Sequence, residues 1–508
     1  MKKFDKNKYL KKIKIKRWLS NYSRYLYLGL SCILVCTLGV YLAYSKFFVS
    51  KEEAVIKTTV GNFIQGDVVI GAYIDNEYSS TIPGKDDGYV VEKIVCDNGA
   101  TGEWNNDKWG LLTTNLTKRT KCNVYFKKDY LGPIIAQLDT TGNCPTVNDD
   151  GSVNVTAKEA TNGYLCKAKD AYGDSYYYRG NVANNYVKFG TWSDDVPDIV
   201  RGYYSELSTY YKEYSSLEEC QSASSYNVNC TLISNAGKEM YWRIVRINGN
   251  GTVRVIYDGT SAHSNDEASI DRQIGNSSFN VGSNGNIYAY DNAYVGYMYG
   301  ITGASTYAET HANTNDSTIK SYIDNWYKTN ILGTANEQYL ADNVFCNDRS
   351  FNDINTGTGA GTSYTEYRWF SGPWDSELYS KYNNKTMLTC PQQNDAFTVS
   401  DTTNGNGALT YPVGLLSMDE VLLAGGWTDS NSGYYLYSGQ EWWASSPLHS
   451  NTHTRRAVNV RFVNSNGSAN DDSGSGYAYN LYGVRPVFNL KAEVLKYGDG
   501  TLDNPYHL

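Results

Sequence analysis

The chain has 508 residues, of which 41% are hydrophobic and 19% are charged. This composition excludes wholesale disorder, and the length provides for two or three domains that each bury a core. The net charge is −8, and because residues 1–24 are strongly basic, the rest of the chain is more acidic still. A globular part with this charge is not drawn to nucleic acid or anionic lipid by its overall field, so no nucleic-acid partner is expected.

Tyrosine is over-represented, with 47 tyrosines against 13 phenylalanines. Two interpretations stay open. The excess follows the composition of the genome, or it provides a tyrosine-rich contact surface, because tyrosine combines a large apolar ring with a polar tip.

Residues 25–45 are uncharged and mostly apolar, and a helix of that length crosses the ~30 Å hydrocarbon core of a bilayer. With the basic run before it, the positive-inside rule predicts a cytoplasmic tail at 1–24, a transmembrane helix at 25–45 and an extracellular bulk. The predicted location is therefore a cell membrane, crossed once, with the membrane as a partner. The alternative is a cleaved signal peptide, although the apolar stretch is longer than a usual h-region and no clear A-x-A site follows.

Eight cysteines lie beyond this segment, and none of them forms a C-x-x-C pair. An even number outside a membrane favours disulfides over zinc, with free thiols as the alternative. Sequential pairing keeps each bond within one predicted structural unit. The predicted pairs are Cys96 with Cys122, Cys144 with Cys166, Cys220 with Cys230, and Cys346 with Cys390.

Residues 51–130 carry short strand-like runs separated by turn residues, at 68–74, 88–96, 109–113 and 121–126. This spacing predicts a small β-sandwich. Cys96 and Cys122 flank Trp104 and Trp109, an order similar to the Cys, Trp, Cys order of immunoglobulin domains. The simpler interpretation of the module is a stalk that holds the next domain away from the membrane.

Residues 131–165 are polar and turn-rich, and we predict a linker that the Cys144–Cys166 pair holds in place. A large domain is predicted at 166–495, with an insertion at about 190–240 and a C-terminal tail at 496–508. Its clearest element is a hairpin across 241–257, where two Asn-Gly pairs supply the positive φ angles that tight hairpins need.

Three helices are predicted in the large domain. One lies near 199–214, within the insertion. A second is indicated by apolar side chains at i, i+3, i+4 and i+7 across 319–326, the pattern of one buried stripe. The third begins with a capping box of Ser417 and Glu420.

The region at 441–490 contains segments in which apolar and polar residues alternate, as in strands with one buried face. Val458, Val460 and Phe462 form one such run. A later run contains Pro486, which donates no backbone hydrogen bond and must lie at a strand start, edge or bulge. We predict an antiparallel meander here.

The same region has a Trp-Trp pair before Ser-Ser-Pro, within 442–447, then a polar hairpin and Gly-Val-Arg-Pro at 483–486. In these motifs it resembles uncharacterised domains of bacterial surface proteins, distantly similar to the C-type-lectin-like group that also contains the formylglycine-generating enzymes. The resemblance covers roughly residues 165–495 and implies a β-rich α+β fold of antiparallel hairpins with a few helices. The family more often has Arg where this chain has Ala444, so no role of that Arg carries over.

Catalysis is not expected. The formylglycine-generating enzymes rely on a reactive cysteine pair in the C-terminal part of the domain, and no cysteine follows Cys390. The chain also lacks a G-x-S-x-G elbow, a P-loop and a Gly-rich dinucleotide motif. An extracellular enzyme that acts on polysaccharide or protein stays an alternative.

Candidate binding residues lie near the closing strands and combine indole, amide and charged side chains. They are Trp427, Trp442, Trp443, Asn459, Arg461, Asp471, Asp472 and Arg485. Trp442 and Trp443 cannot both face inward from one strand, so one of them is expected to face outward or to lie under a loop. Arg485 is expected to pair with an internal acid such as Glu441 or Asp419.

Two places in the sequence carry side chains that can bind metal ions. The resemblance implies calcium held by acids and amides near the closing strands, at Asn464, Asn466, Asn470, Asp471 and Asp472, but a hairpin tip of these residues needs no ligand. His449 and His453 have the spacing of two ligands on a helix, yet the residues between them indicate a loop. We therefore predict no cofactor, with calcium as the alternative.

These observations favour a membrane-anchored extracellular protein that binds, or adheres to, a glycan or protein partner at the bacterial surface. A structural cell-envelope component is the other alternative beside the enzyme. Binding predicts a shallow aromatic and polar patch, whereas catalysis predicts a deep pocket with convergent acids. A structural role predicts a large exposed apolar patch.

Overall fold

The computed structural model describes residues 7, 10–18, 20, 68–116, 120–203, 211–222, 229–282, 290–352, 357–369, 386–450, 458–469 and 476–508. The chain divides into a small unit, Met1–Asp129, and a large unit, Tyr130–Leu508.

The N-terminal part requires a correction. Residues 10–18 are helical and exposed. Within the ranges above, no helix is both long enough and apolar enough to cross a bilayer, and the predicted span at 25–45 lies outside them. The predicted fold class, which placed a transmembrane helix before the folded units, is therefore corrected to a β-rich fold with 34% strand and 16% helix.

The small unit contains one four-stranded sheet and one hairpin. Its strands are β1 (Val68–Ile74), β2 (Glu77–Ser79), β3 (Tyr89–Cys96), β4 (Thr101–Asn105), β5 (Gly110–Thr114) and β6 (Thr120–Lys128). The sheet has the order β2-β1-β6-β3, in which β1 and β6 are parallel and the other pairs are antiparallel. β4 and β5 pair with each other. The predicted strand runs are confirmed.

The core of the small unit lies between this sheet and the hairpin. It is built from alternate residues of the strands, which is why one face of each strand is apolar. Its buried members are Ala72, Leu111, Cys122, Val124 and Phe126. Trp104 of the hairpin packs edge-on against Phe126, with 5.2 Å between the ring centroids.

The Cys96–Cys122 disulfide lies within the sheet. The two residues are directly opposite each other on β3 and β6, and their Cα atoms are 4.0 Å apart. The immunoglobulin disulfide joins two facing sheets, so the predicted immunoglobulin-like arrangement is wrong.

The large unit begins before the predicted domain boundary. Helix α1 (Gly132–Ile135) and strands β7 (Thr146–Val147) and β8 (Val153–Asn154) lie in the predicted linker. Ile134 is 1% exposed and belongs to the main core of the large unit. The Cys144–Cys166 disulfide is present as predicted, so residues 131–165 are a folded part of the large unit.

A six-stranded sheet forms one wall of that core. Its strands are β9 (Gly163–Asp170), β10 (Gly173–Gly180), β11 (Tyr186–Thr191), β15 (Glu239–Ile247), β16 (Val253–Gly259) and β26 (Val487–Leu490). The order is β26-β16-β15-β10-β9, and β11 also pairs with β15. The predicted hairpin is confirmed as β15–β16, and Gly251 in its turn has a φ of 79°.

Between β11 and β15 the chain forms a separate small sheet. It consists of β12 (Ile199–Tyr203), β13 (Tyr211–Tyr214) and β14 (Asn229–Ile233), with helix α2 (Leu217–Ser222) between the last two. Its order is β13-β12-β14, and Cys220 on α2 is bonded to Cys230 on β14. The helix predicted near 199–214 is wrong, because strands β12 and β13 pair there instead.

The second large sheet contains the C-terminal motifs. Its strands are β17 (Gly275–Ser277), β21 (Thr365–Glu366), β23 (Trp442–Ser450), β24 (Asn459–Val463) and β25 (Tyr482–Val484). β23 and β24 are antiparallel, but β25 is parallel to β23. Pro486 separates β25 from β26, which pairs in the first sheet. The predicted meander is therefore correct only for its first hairpin.

The other helices and strands cover the ends of these sheets. They are β18 (Met298–Tyr299), β19 (Asn315–Asp316), β20 (Phe345–Cys346), β22 (Ala396–Phe397), α3 (Tyr307–Thr310), α4 (Thr318–Asn330) and α5 (Met418–Leu423), together with 3-10 helices at Ile270–Arg272, Asn292–Val295, Glu337–Tyr339, Gln393–Asp395 and Ala492–Leu495. The buried stripe on α4 is confirmed, and so is the capping box of Ser417 and Glu420 on α5.

The predicted C-terminal tail is part of the large unit. Tyr506 is 9% exposed and belongs to the main core. Its backbone N–H donates to the carbonyl of Tyr186 at 2.9 Å. The fourth predicted disulfide, Cys346–Cys390, is also present.

Candidate binding site

The residues predicted to bind a ligand in the large unit are mostly buried. Trp442, Trp443, Asn459, Arg461 and Arg485 are at most 2% exposed. Trp427 is partly buried against the main core. Asp471 and Asp472 lie outside the described residues, and so does Asn470 of the alternative calcium site. Neither Trp442 nor Trp443 therefore presents an indole face to solvent.

The two tryptophans stabilise the core in different ways. The Nε1–H of Trp443 donates to the carbonyl of Ser277 at 2.8 Å. The guanidinium of Arg485 lies 5.1 Å from the ring centroid of Trp442. Each tryptophan of the pair thus has its own partner inside the unit.

Arg485 pairs with Asp258 and not with the predicted Glu441 or Asp419. Its Nη2 is 2.8 Å from Asp258 Oδ1, and Arg272 Nη2 is 2.8 Å from the same oxygen. Burial lowers the pKa of Arg485 to about 10, and the charge of Asp258 opposes that change. The pairing is long-range in sequence, so no local pattern could indicate it.

Asn459 and Arg461 face neighbouring strands and loops. The Nδ2 of Asn459 is 2.9 Å from His449 Nε2, and Arg461 Nη2 donates to the carbonyl of Trp369. His453, the other half of the predicted His pair, lies outside the described residues. In the part of the chain that the structure describes, no group of three or more His, Cys, Asp or Glu side chains could hold a metal ion.

Arginines hold several of the buried acids of the large unit. Glu420 Oε1 lies 2.7 Å from Arg254 and 3.2 Å from Arg246. Burial raises the pKa of Glu420, but Arg254 and Arg246 outweigh that effect, so its pKa is lowered. The other pairs are Asp170 with Arg246, Asp395 with Arg349, and Asp348 and Asp419 with Arg368. Carboxylates that already accept hydrogen bonds from guanidinium groups stabilise the core in this arrangement.

The small unit carries a different kind of surface. On β1, Ile70, Ala72 and Ile74 belong to the core, so the intervening Tyr73 lies on the opposite face of the sheet. The same alternation on β6 places Tyr125 on that face, because Val124 and Phe126 are buried. The sheet therefore has one face packed in the core and one aromatic face directed to solvent.

Four side chains on this outer face form a row across the four strands. Tyr73 is directly opposite Tyr78 on β2 and Tyr125 on β6, and Lys93 on β3 is opposite Tyr125. The rings of Tyr73 and Tyr125 are stacked at 4.7 Å, and Tyr78 meets Tyr73 edge-on at 5.8 Å. Lys93 Nζ lies 4.5 Å from the centroid of Tyr125. Tyr78 is 53% exposed. We call this row the tyrosine face.

Polar groups surround the row. A Cβ atom on Gly71 would lie 2.7 Å from Asn123 Oδ1 and 3.6 Å from Lys121 Cε. Glycine at this position lets Asn123 and the Lys121 stem approach the β1 backbone closely. Asn123 Oδ1 is buried, with no hydrogen-bond partner among the described residues.

A separate groove of about 320 Å³ lies along β3. It is lined by Val90, Val91, Glu92, Lys93, Ile94, Gly102, Trp104 and Asn106. β3 is the last strand of its sheet within the described residues, so the groove runs along a strand edge. The charged residues in its lining are Glu92 and Lys93.

Sequence reasoning did not assign these residues. The tyrosine excess indicated that a tyrosine-rich contact surface was one interpretation, but it did not locate that surface. The signal was the alternation of Ile70, Ala72 and Ile74 with Gly71 and Tyr73, which separates a core face from an aromatic face.

Comparison with known proteins covers only the large unit. Residues 308–492 match a family described as Domain of unknown function (DUF6273). This match spans less than half of the chain and excludes the tyrosine face. No curated protein and no solved structure matches the chain. The resemblance to C-type-lectin-like domains stays a prediction.

Proposed function

We propose that this chain is an extracellular binding protein and that its small unit recognises a glycan through the tyrosine face. The observation that carries the proposal is the row of Tyr78, Tyr73 and Tyr125, which lies across three adjacent strands on the face opposite the core. These rings stabilise the sheet as cross-strand pairs, and on the solvent side they also present an aromatic surface to a ligand.

Tyrosine suits sugar recognition for two physical reasons. The apolar C–H face of a sugar ring covers an aromatic ring, and this contact removes apolar area from water. The phenolic hydroxyl at the rim can exchange hydrogen bonds with sugar hydroxyls. The ring also has few rotatable bonds, and the stack of Tyr73 on Tyr125 restricts them further. The face is therefore preorganised before a ligand arrives.

The four disulfides support a location outside the cytoplasm. Each of the bonded pairs, from Cys96–Cys122 to Cys346–Cys390, closes within one of the two units. Disulfides persist in oxidising environments and are rare where thiols are kept reduced. This supports the extracellular part of the proposal.

A protein partner is the second candidate, and the groove along β3 favours it. An extended segment can add to an exposed strand edge through main-chain hydrogen bonds, with side chains in an adjacent groove. Such a segment would lie at β3, whereas Tyr78 is on β2 at the opposite edge of the sheet. Substitution of Tyr78 therefore separates the two candidates.

The test compares Tyr78→Ala with Tyr497→Ala in the full chain. The two tyrosines are equally exposed, at 53% and 52%, but Tyr497 lies in the large unit. Loss of one stacking ring is expected to weaken glycan binding about tenfold, or about 1.4 kcal/mol. A glycan array first identifies polysaccharides that the protein binds. Binding of their soluble forms is then measured by titration calorimetry.

Tyr497→Ala is expected to bind as the unchanged protein does. Equal binding by both variants would remove the tyrosine face from the proposal. If a protein ligand is found instead, and Tyr78→Ala binds it normally, the β3 edge becomes the favoured site.

A further inference from the structure

We infer that the tyrosine face selects an anionic polysaccharide, one whose sugar rings carry carboxylates; this inference rests on the proposed glycan-binding function. Its basis is the charge around the row. Lys93, Lys121 and Lys127 extend from β3 and β6 on the tyrosine side of the sheet. The acids beside them are Glu92, near Lys127, and Asp97, near Lys121.

The lysines are free to contact a ligand. Lys93 and Lys121 are exposed. The Lys127 side chain is 56% exposed, and its nitrogen is 3.9 Å from Glu92, whose side chain is 43% exposed. An exposed ion pair at that distance is weak and is readily exchanged for another carboxylate. Three ammonium groups against the carboxylates of Glu92 and Asp97, the latter accepting a hydrogen bond from the Lys121 N–H, leave a local net positive charge.

The positions of the charges match a polysaccharide that lies along β6. Lys121, Tyr125 and Lys127 are on the same side of that strand, because they are separated by even numbers of residues. At ~3.3 Å per residue, the Cα of Lys127 lies roughly 7 Å beyond that of Tyr125, and the Cα of Lys121 roughly 13 Å before it. A polymer with regularly spaced carboxylates can therefore stack on the rings and meet a cation on both sides of them.

Lys93 connects the charge with the stacking surface. Its ammonium group lies 4.5 Å from the Tyr125 centroid, within the range of a cation–π contact. This contact holds the charge at the end of the row while its hydrogens stay available to an acceptor.

The acidic character of the whole chain does not prevent this contact. Exposed charges are screened beyond about 8 Å at physiological salt, so a bound ligand responds mainly to the nearest groups. The nearest groups to the rings are lysines. The remote acidic surface instead slows the approach of an anionic polymer, and added salt weakens this repulsion.

The experiment uses the full chain and three soluble polymers. Polygalacturonate supplies sugar rings with carboxylates. Its fully methyl-esterified form keeps the rings and removes the charge. Polyglutamate supplies carboxylates without sugar rings. Affinity for each is measured by titration calorimetry at a fixed, physiological salt concentration.

Two double variants test the lysines. Lys121→Gln with Lys127→Gln removes two charges from the face. Lys85→Gln with Lys108→Gln changes the net charge equally, but at exposed turn positions next to the strands. The first variant is expected to bind polygalacturonate roughly tenfold more weakly, as the loss of two exposed ion-pair contacts implies. The second is expected to bind it as the unchanged protein does.

The outcomes separate this inference from the proposed function. Strong binding of polygalacturonate, at least tenfold weaker binding of the ester, and selective loss in the face variant support the inference. Equal binding of polygalacturonate and its ester overturns the charge selectivity but leaves glycan binding in place. Polyglutamate binding as tightly as polygalacturonate, or no binding of either sugar polymer, overturns the inference, whereas the proposed function is decided by the comparison of Tyr78→Ala with Tyr497→Ala.

Discussion

Removal of the buried carboxylate of Asp258 is expected to destabilise the large unit strongly. Asp258 is 1% exposed, and the side chains of Arg272 and Arg485 that contact it are 0% exposed. Its Oδ1 accepts hydrogen bonds at 2.8 Å from Arg272 Nε and Arg485 Nη2. Arg272 Nη2 also lies 2.8 Å from this oxygen, as an ion-pair contact. One carboxylate therefore neutralises part of the charge of two fully buried guanidinium groups.

The expected loss of stability follows from the two arginines, Arg272 and Arg485, that stay buried without the carboxylate. Removing one member of a buried ion pair costs about 3–5 kcal/mol, because the other charge stays buried without compensation. Asp258→Asn keeps the shape and one acceptor oxygen but removes the charge. We therefore expect a loss of about 4 kcal/mol in the free energy of unfolding of the large unit, close to a thousandfold in the equilibrium constant.

The assay is urea unfolding of the full chain with its disulfides intact, followed by tryptophan fluorescence. The matched control is Asp174→Asn. Lys167 and Asp174 are 2.6 Å apart, but their side chains are 47% and 48% exposed, so breaking that pair costs less than about 1 kcal/mol. If the two variants unfold within about 1 kcal/mol of each other, burial does not determine the value of these pairs and the reasoning fails.

Three further predictions concern the large unit. Burial lowers the pKa of His263, but Asp271 raises it by more, so the pKa is raised overall. The stability that this pair contributes is present below the unfolded pKa of about 6.5. It is lost as the pH rises through the pKa of the folded state. His263→Gln should therefore flatten the dependence of the melting temperature as pH rises above about 6.5, and an unchanged slope would contradict this. Replacing both cysteines of a disulfide by serine should lower the free energy of unfolding in urea by about 4 kcal/mol for Cys346–Cys390 and about 3 kcal/mol for Cys220–Cys230. The difference is expected because the bonded cysteines are 44 and 10 residues apart in sequence. The reverse order would contradict the loop-entropy argument. Ser417→Ala should lower the free energy of unfolding by about 1 kcal/mol in the same assay, and Ser417→Thr by much less. The reason is that the Ser417 hydroxyl accepts a hydrogen bond from the Glu420 N–H. An equal loss in both variants would exclude capping as the cause.

The features that could be predicted from the sequence are those fixed by neighbouring residues. The β15–β16 hairpin follows from alternation and from Asn-Gly turns, and the start of α5 follows from the capping box of Ser417 and Glu420. The disulfides were predicted correctly because each pair closes a short loop within one unit, as in Cys220–Cys230.

The errors concern features fixed by distant residues. The segment at 199–214 forms strands because β12 pairs on both sides, with β13 and β14, and pairing outweighs the local preference for a helix. β25 joins β23 in parallel and the chain then crosses to the first sheet at Pro486. The partner of Arg485 is 227 residues away in sequence, so neither its burial nor its pairing had a local signal.

The burial of the predicted binding residues has a physical cause. Tryptophan and arginine are the residue types that dominate binding interfaces, but a large unit with two sheets also buries them, as it does Trp442 and Arg485. The planar guanidinium can satisfy several acceptors at once and so is accommodated inside, whereas the strongly hydrated ammonium of lysine more often stays at the surface, although Lys320 is buried beside Asp324. Tyrosine together with exposed lysine, as at Tyr125 and Lys93, is therefore a better indicator of a contact surface in this chain. That combination becomes visible only after the strand alternation has shown which side of the sheet is the core.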